Sequence, residues 1–157
     1  MDIKSQLKEA REAINNKDFK KSTKICENIL KEDVNNYLGL VFLGLSVLEI
    51  NLSKQSENAF RRAIEICPDN LLAWNGLAKY YEKLDTTEAR LELIKIYTFL
   101  IGKETTEKKL TEYCEKLCSL YKYTNVEEIC KVIYEKVENG NYSEATLNSN
   151  RSSLLIY

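Results

Sequence analysis

One set of side chains in this chain recurs after 34 residues, and that repeat restricts the fold more than any other feature. Leu40, Leu43, Gly44 and Val47 return as Trp74, Leu77, Ala78 and Tyr81, each 34 positions on. In the first of these units Ser56, Phe60, Ala63 and Pro68 continue the set as small residue, aromatic, small residue and proline. A period of this length belongs to chains assembled from helix pairs, in which each pair buries its apolar face only against the next. Gly44 and Ala63 let two helices approach closely, and Phe60 fills the space they leave. Pro68 cannot continue a helix, so the pair should end there.

The set matches the tetratricopeptide (TPR) signature. It predicts an all-α protein, an α-solenoid of about four TPR helix pairs wound into a right-handed superhelix. The expected repeats lie at 3–36, 37–70, 71–103 and 107–138. In the second, the helix YLGLVFLGLSVLEI is apolar on nearly every side. Its partner over 54–67 spaces Ala59, Phe60, Ala63, Ile64 and Cys67 helically and turns Arg61, Arg62 and Glu65 outward. Ser53 is the expected cap of that helix, and Asp69 or Asn70 that of the next.

The first repeat is a weaker copy. Ala10 and Ala13 take its small positions beside Ile3, Leu7 and Ile14, NNKDF makes the turn, and Ser22, Cys26 and Ile29 line its second helix. Gln6 and Glu9 stand where apolar residues are usual, which suits a terminal repeat with an open outer face. The third repeat begins with LLAWNGLAKYYEKL, with Trp74 as its core anchor, and continues in a helix over 87–100 opened by the capping box Asp85-x-x-Glu88. Cys114, Leu117, Cys118 and Tyr121 begin the fourth, and Asn125-x-x-Glu128 caps an eighth helix ending near Val137. Residues 139–157 lose the pattern and are expected to form a polar, flexible tail.

Composition removes several function classes. The 23 basic and 24 acidic residues leave a net charge of −1, which disfavours nucleic acid as a direct ligand because phosphate binding rests on clustered Lys and Arg. No apolar run approaches the roughly 18 residues that span a bilayer, so no membrane association is expected. The polar start MDIKSQLKEAREA does not read as a secretory signal, and the five cysteines then read as reduced thiols in the cytoplasm, with the nucleus as the other compartment.

Chemistry is scarce. The chain has no histidine, which removes imidazole catalysis, Ser–His and Cys–His pairs and HExxH metal sites together. Its carboxylates are expected on exposed faces beside Lys and Arg, so the chain is read as a non-enzyme without a cofactor. Cys114, Cys118 and Cys130 are a conceivable thiolate set, but they lack CxxC spacing and are expected to pack between helices without metal. The carboxylate clamp of chaperone-binding TPR domains is missing, because the corresponding positions hold Leu7, Arg11, Phe42, Leu72 and Gly76.

The stretches NNYLGLVFLGLSVLEI and AFRRAIEICPDNLLAWNGLAKYYEKL, with KEAREAINNKDFKKSTKICENILKEDVNN before them and LCSLYKY after, go beyond the general TPR pattern. They resemble the N-terminal repeats of the TPR scaffold subunits of the superkiller (Ski) complex, over residues 3 to 137. PDNLLAWNGLAKYYEK is the most specific element. The resemblance implies a noncatalytic scaffold acting in exosome-linked 3′-to-5′ mRNA decay. Its implied partners are the Ski helicase, a WD-repeat subunit and exosome-associated factors. Members of that family are much longer, so the chain is expected to be a fragment or short product of such a scaffold.

The binding surface is expected in the inner groove, where the first helix of each pair faces. Leu38, Val41, Leu45 and Leu48 form a second apolar row on the first helix of the second repeat, with Leu7 and Ile14 beside it. This row is expected to accept an apolar segment of a partner or of the tail, so that Asp at positions 41 and 45 would abolish capture and preserve the fold. The alternative is a free-standing TPR adaptor, unrelated to RNA decay, that holds a peptide or helix in the same groove. Self-association through an uncapped apolar end is a third reading.

Overall fold

The computed structural model describes residues 2–120 other than 52, 53 and 85, and these form seven α-helices. They are α1 (Ile3–Asn15), α2 (Phe19–Glu32), α3 (Tyr37–Ile50), α4 (Lys54–Ile66), α5 (Leu71–Glu82), α6 (Thr87–Lys103) and α7 (Glu107–Ser119). The expected eighth helix, the tail and the Ser53 cap lie outside the described residues. The chain divides into two compact units, Met1–Lys83 and Leu84–Tyr157. The division falls inside the expected third repeat: α5 belongs to the first unit, and α6 and α7 to the second.

Helices α1, α2, α3, α5 and α6 each start where a short polar side chain satisfies an unpaired N–H of the first turn. Asp2 accepts from Ser5 N at 2.8 Å, Asp18 from Lys21 N at 3.1 Å, and Asn36 from Gly39 N at 2.9 Å. Asn70 accepts from Leu72 N at 3.1 Å. At α6 the cap is Thr86, whose hydroxyl accepts from Ala89 N at 3.1 Å, in place of the expected Asp85. The helix therefore opens one residue later than the capping box requires, and Glu88 instead lies in the first turn, where its charge faces the positive end of the helix dipole.

The α1–α2 turn is a Schellman closure. Lys17 N–H reaches Ile14 O at 2.9 Å, and Asp18 N–H reaches Ala13 O at 2.8 Å. The motif puts Lys17 at φ 59°, a left-handed conformation that a residue with a Cβ occupies at a cost. Lys17→Gly is therefore expected to stabilise the first unit by about 1 kcal/mol. Urea denaturation followed by the fluorescence of Trp74, the single tryptophan, checks this.

In the first unit α1 packs on α2, α2 on α3, α3 on α4 and α4 on α5, while α3 also touches α1 and α5. The sequence of α3 already shows why it is central: with apolar residues all round, it can be stable only when enclosed. Nine of its 14 residues are buried. Phe60, on α4, is fully buried between two glycines. A Cβ on Gly44 of α3 would lie 2.7 Å from Phe60 Cε1, and one on Gly76 of α5 would lie 2.7 Å from Cδ1 and Cζ. Both helices thus approach the ring as closely as backbone allows.

Three buried serines thread this core. Ser46 donates to Ser22 Oγ at 2.8 Å, joining α3 to α2, and Ser56 donates to Gly44 O at 2.8 Å, joining α4 to α3. In the second unit, α6 and α7 pack against each other through such buried residues as Leu93, Leu100, Leu110 and Leu117, with the Tyr97 and Tyr113 rings 6.1 Å apart.

Candidate functional site

The six residues expected to line an apolar groove fall into two groups. Val41 and Leu48 are 0% and 2% exposed and belong to the core of the first unit, so they present no open surface. This corrects the expected row. The cause is the position of α3, which is touched by α1, α2, α4 and α5 and has no free face along its middle turns. Leu7, Ile14, Leu38 and Leu45 are half-buried and rest against that core. Beside them the Arg11 guanidinium lies over the Phe42 ring, 5.7 Å from its centroid. Lys79 and Glu82 on α5 are exposed, and Asn75 bonds back to Leu71 O at 2.8 Å.

Trp74 also departs from expectation. It is half-buried and is not the core anchor of its repeat; its indole N–H donates to Pro68 O at 2.8 Å and so ties the α4–α5 loop. At this position the ring lies across the loop, and the core beneath α5 is made by Ala73, Gly76 and Leu77.

The outer side of the first helix pair carries a shallow cavity of about 510 Å³ lined by Gln6, Glu9, Ile25, Asn28, Lys31 and Glu32. Gln6 donates to Glu32 at 3.2 Å across it, and Lys21 pairs with Glu9 at 2.8 Å. Five of these six lining residues are polar or charged, Ile25 being the exception.

Two carboxylates contradict the expectation that all lie on exposed faces. Glu104 is buried and accepts from the N–H groups of Thr105 and Thr106, both at 3.0 Å. Glu57 is 4% exposed in the first turn of α4. Its Oε1 accepts from Arg61 Nε at 2.8 Å and from the Tyr81 hydroxyl of α5 at 2.5 Å, while its Oε2 meets Lys54 Nζ at 2.6 Å. Arg61 Nη2 also donates to the Tyr81 hydroxyl, at 2.6 Å. Burial acts to raise the Glu57 carboxyl, but bonds from Lys54, Tyr81 and Arg61 outweigh it and hold the group down at about 2. Burial, then the neighbouring carboxylate, pushes the Tyr81 phenol up to about 12.

The spacing Lys54-x-x-Glu57-x-x-x-Arg61 is a sequence signal for helical ion pairing that sequence reasoning did not use. Tyr81, which covers it from the next helix, gives no such signal. Because the folded value lies below the ordinary 4.5, the stabilisation from ionised Glu57 is complete above that pH and is lost as pH falls toward 2. Glu57→Gln should therefore be less stable than the parent chain at pH 7, with the gap narrowing by pH 3. Denaturation midpoints at the two pH values measure it.

Burial pushes the Cys26 thiol up to about 11, which leaves it unreactive at neutral pH. Cys114 and Cys118 are buried on α7, and Cys130 lies outside the described residues. Among the described residues no three potential ligands group to hold a metal ion, and no described helix is long and apolar enough to cross a membrane.

Packed helix pairs with small residues at each close approach define a TPR helical-repeat chain. The fold agrees with that of a thermophilic TPR protein from Thermus thermophilus, whose crystal structure matches 99% of this chain and 100% of its own at a TM-score of 0.50, with 14% identity. No family model matches the sequence. The sequence is that of a TPR region similar to Superkiller complex protein 3: it is 38% identical over 122 residues to the human protein of that name. It is 41% identical over 122 residues to Tetratricopeptide repeat protein 37 of Xenopus laevis, and both matches cover 76% of this chain. Superkiller protein 3 of Saccharomyces cerevisiae is 36% identical over 85 residues, 48% of the chain. The chain spans about 8% of the length of the human and frog relatives.

Proposed function

We propose that this chain is a noncatalytic protein-interaction scaffold of the superkiller type, which supports exosome-linked 3′-to-5′ mRNA decay in the cytoplasm by holding protein partners. The observation that carries this reading is the 38% identity to human Superkiller complex protein 3 over 76% of the chain, with 41% identity to Tetratricopeptide repeat protein 37 of Xenopus laevis over the same share. The TPR fold supports the coarser part, an interaction module. The proposed partners are an RNA helicase, a WD-repeat subunit and exosome-associated factors. Leu7, Ile14, Leu38 and Leu45 are the proposed contact residues, with Val41 and Leu48 supporting them from beneath.

The test is capture from cytoplasm with the tagged chain, quantified by mass spectrometry against a tagged unrelated TPR protein. Enrichment of the helicase, WD-repeat and exosome factors, reduced by Leu38→Ser with Leu45→Ser while the helical circular dichroism signal is kept, supports the reading. Enrichment of unrelated clients alone would replace it with a free-standing adaptor.

A further inference from the structure

We propose that Glu57, Arg61 and Tyr81 form a latch that holds the last turn of α5 to α4, and that breaking it lets α5 open as a unit while α1–α3 stay folded. Within the first unit α5 packs mainly on α4 and α3, and it shares less contact with them than α2 or α4 shares with α3. The face it buries is also poor in apolar surface, with Ala73, Gly76 and Ala78 alongside one leucine, Leu77, and the Tyr80 and Tyr81 rings. Apolar stabilisation scales with the area removed from water, so small residues contribute little to holding this helix. Polar ties make up the difference.

At the start of α5, Ala73 N–H donates to the Tyr37 hydroxyl at 3.3 Å, and that hydroxyl donates to Asn70 O at 3.4 Å. At its end stands the Glu57–Arg61–Tyr81 group, the most enclosed charge on the unit. A second, exposed tie follows at the C-cap, where Lys83 Nζ lies 3.2 Å from Glu49 and 3.5 Å from Leu48 O on α3. The latch is suited to release. The Lys54 and Arg61 side chains are 76% and 45% exposed and reach the carboxylate from the solvent side, whereas Tyr81 reaches it from α5. When α5 leaves, water can take the place of the phenol while both cations stay on Glu57. Opening uncovers Phe60, which otherwise lies against Gly76.

Hydrogen exchange of the full chain, read peptide by peptide, tests this with Tyr81→Phe and Glu57→Gln. Tyr81→Phe keeps the ring and removes only the hydroxyl, so it reads the latch even if Glu57→Gln fails to fold. The expected result is exchange across 71–82 accelerated about tenfold or more, with amides of α1–α3 within about twofold of the parent chain. The double variant should open α5 no further than the more open single variant, because the two groups act as one device. Unchanged exchange in α5 overturns the proposal. So does equal acceleration across α1–α5, which would make the group ordinary cement of a single cooperative unit.

Discussion

Phe60→Ala is expected to lower the unfolding free energy of the first unit by about 3–5 kcal/mol, the range for losing a large buried aromatic. The ring is fully buried and is the filling between α3 and α5, whose glycines press on it from both sides. Collapse around the deletion is limited because α3 is already enclosed by four helices. The converse change tests the same contact. Gly76→Ala would push a Cβ into the ring and should destabilise by about 1–3 kcal/mol. Combined with Phe60→Leu, which leaves room for that methyl, it should cost less than the sum of the two single changes. Urea denaturation followed at Trp74 reads all three variants. A Gly76→Ala chain within 0.5 kcal/mol of the parent, roughly the scatter of a neutral surface change, would show that the close approach is slack.

Val41→Asp is expected to unfold the first unit outright at neutral pH. The side chain is 0% exposed within an apolar core, and an unpaired carboxylate there costs more than about 4 kcal/mol, a large share of a small domain's stability. Leu38→Asp, at a half-buried position on the same helix, should keep the helical circular dichroism signal and lose only part of the stability. Retention of the native melting temperature by Val41→Asp would return Val41 to the groove, where sequence reasoning had placed it.

The contrast between these two positions shows where sequence reasoning stops. Helix boundaries were legible because caps and breakers act locally: Asn70 caps α5 as its place before the next apolar run suggests, and Pro68 ends α4 within two residues. Phe60, Gly44 and Ala63 were legible because a fixed 34-residue step converts sequence position into packing position. The inner row was not. Periodicity divides a helix into faces only when one face is polar, and α3 has apolar residues all round, so Val41 and Leu45 read alike although one is buried and the other half-exposed. Glu57 was missed for a related reason. Its helical neighbours Lys54 and Arg61 describe a solvated ion-pair ladder, and only Tyr81, 24 residues later, encloses it. Trp74 was misjudged because a signature tryptophan can pack inward or, as here, bond to a loop carbonyl with its N–H.

The serine hydroxyls have a consequence for how α3 finds its orientation. A cylinder coated evenly with leucine and valine gains the same burial at any rotation about its axis, so apolar contact cannot choose among the alternatives. Ser46 and Gly44 can. Turning α3 by one residue, about 100°, would remove Ser46 from the Ser22 hydroxyl, take the Gly44 carbonyl from Ser56 and drive a branched side chain into Phe60. Each wrong rotation leaves buried hydroxyls without partners, a penalty of about 1–3 kcal/mol apiece. The greasiest of the described helices thus has its angular setting chosen by its smallest and most polar residues, and Ser46→Ala should soften that choice well before it weakens the fold.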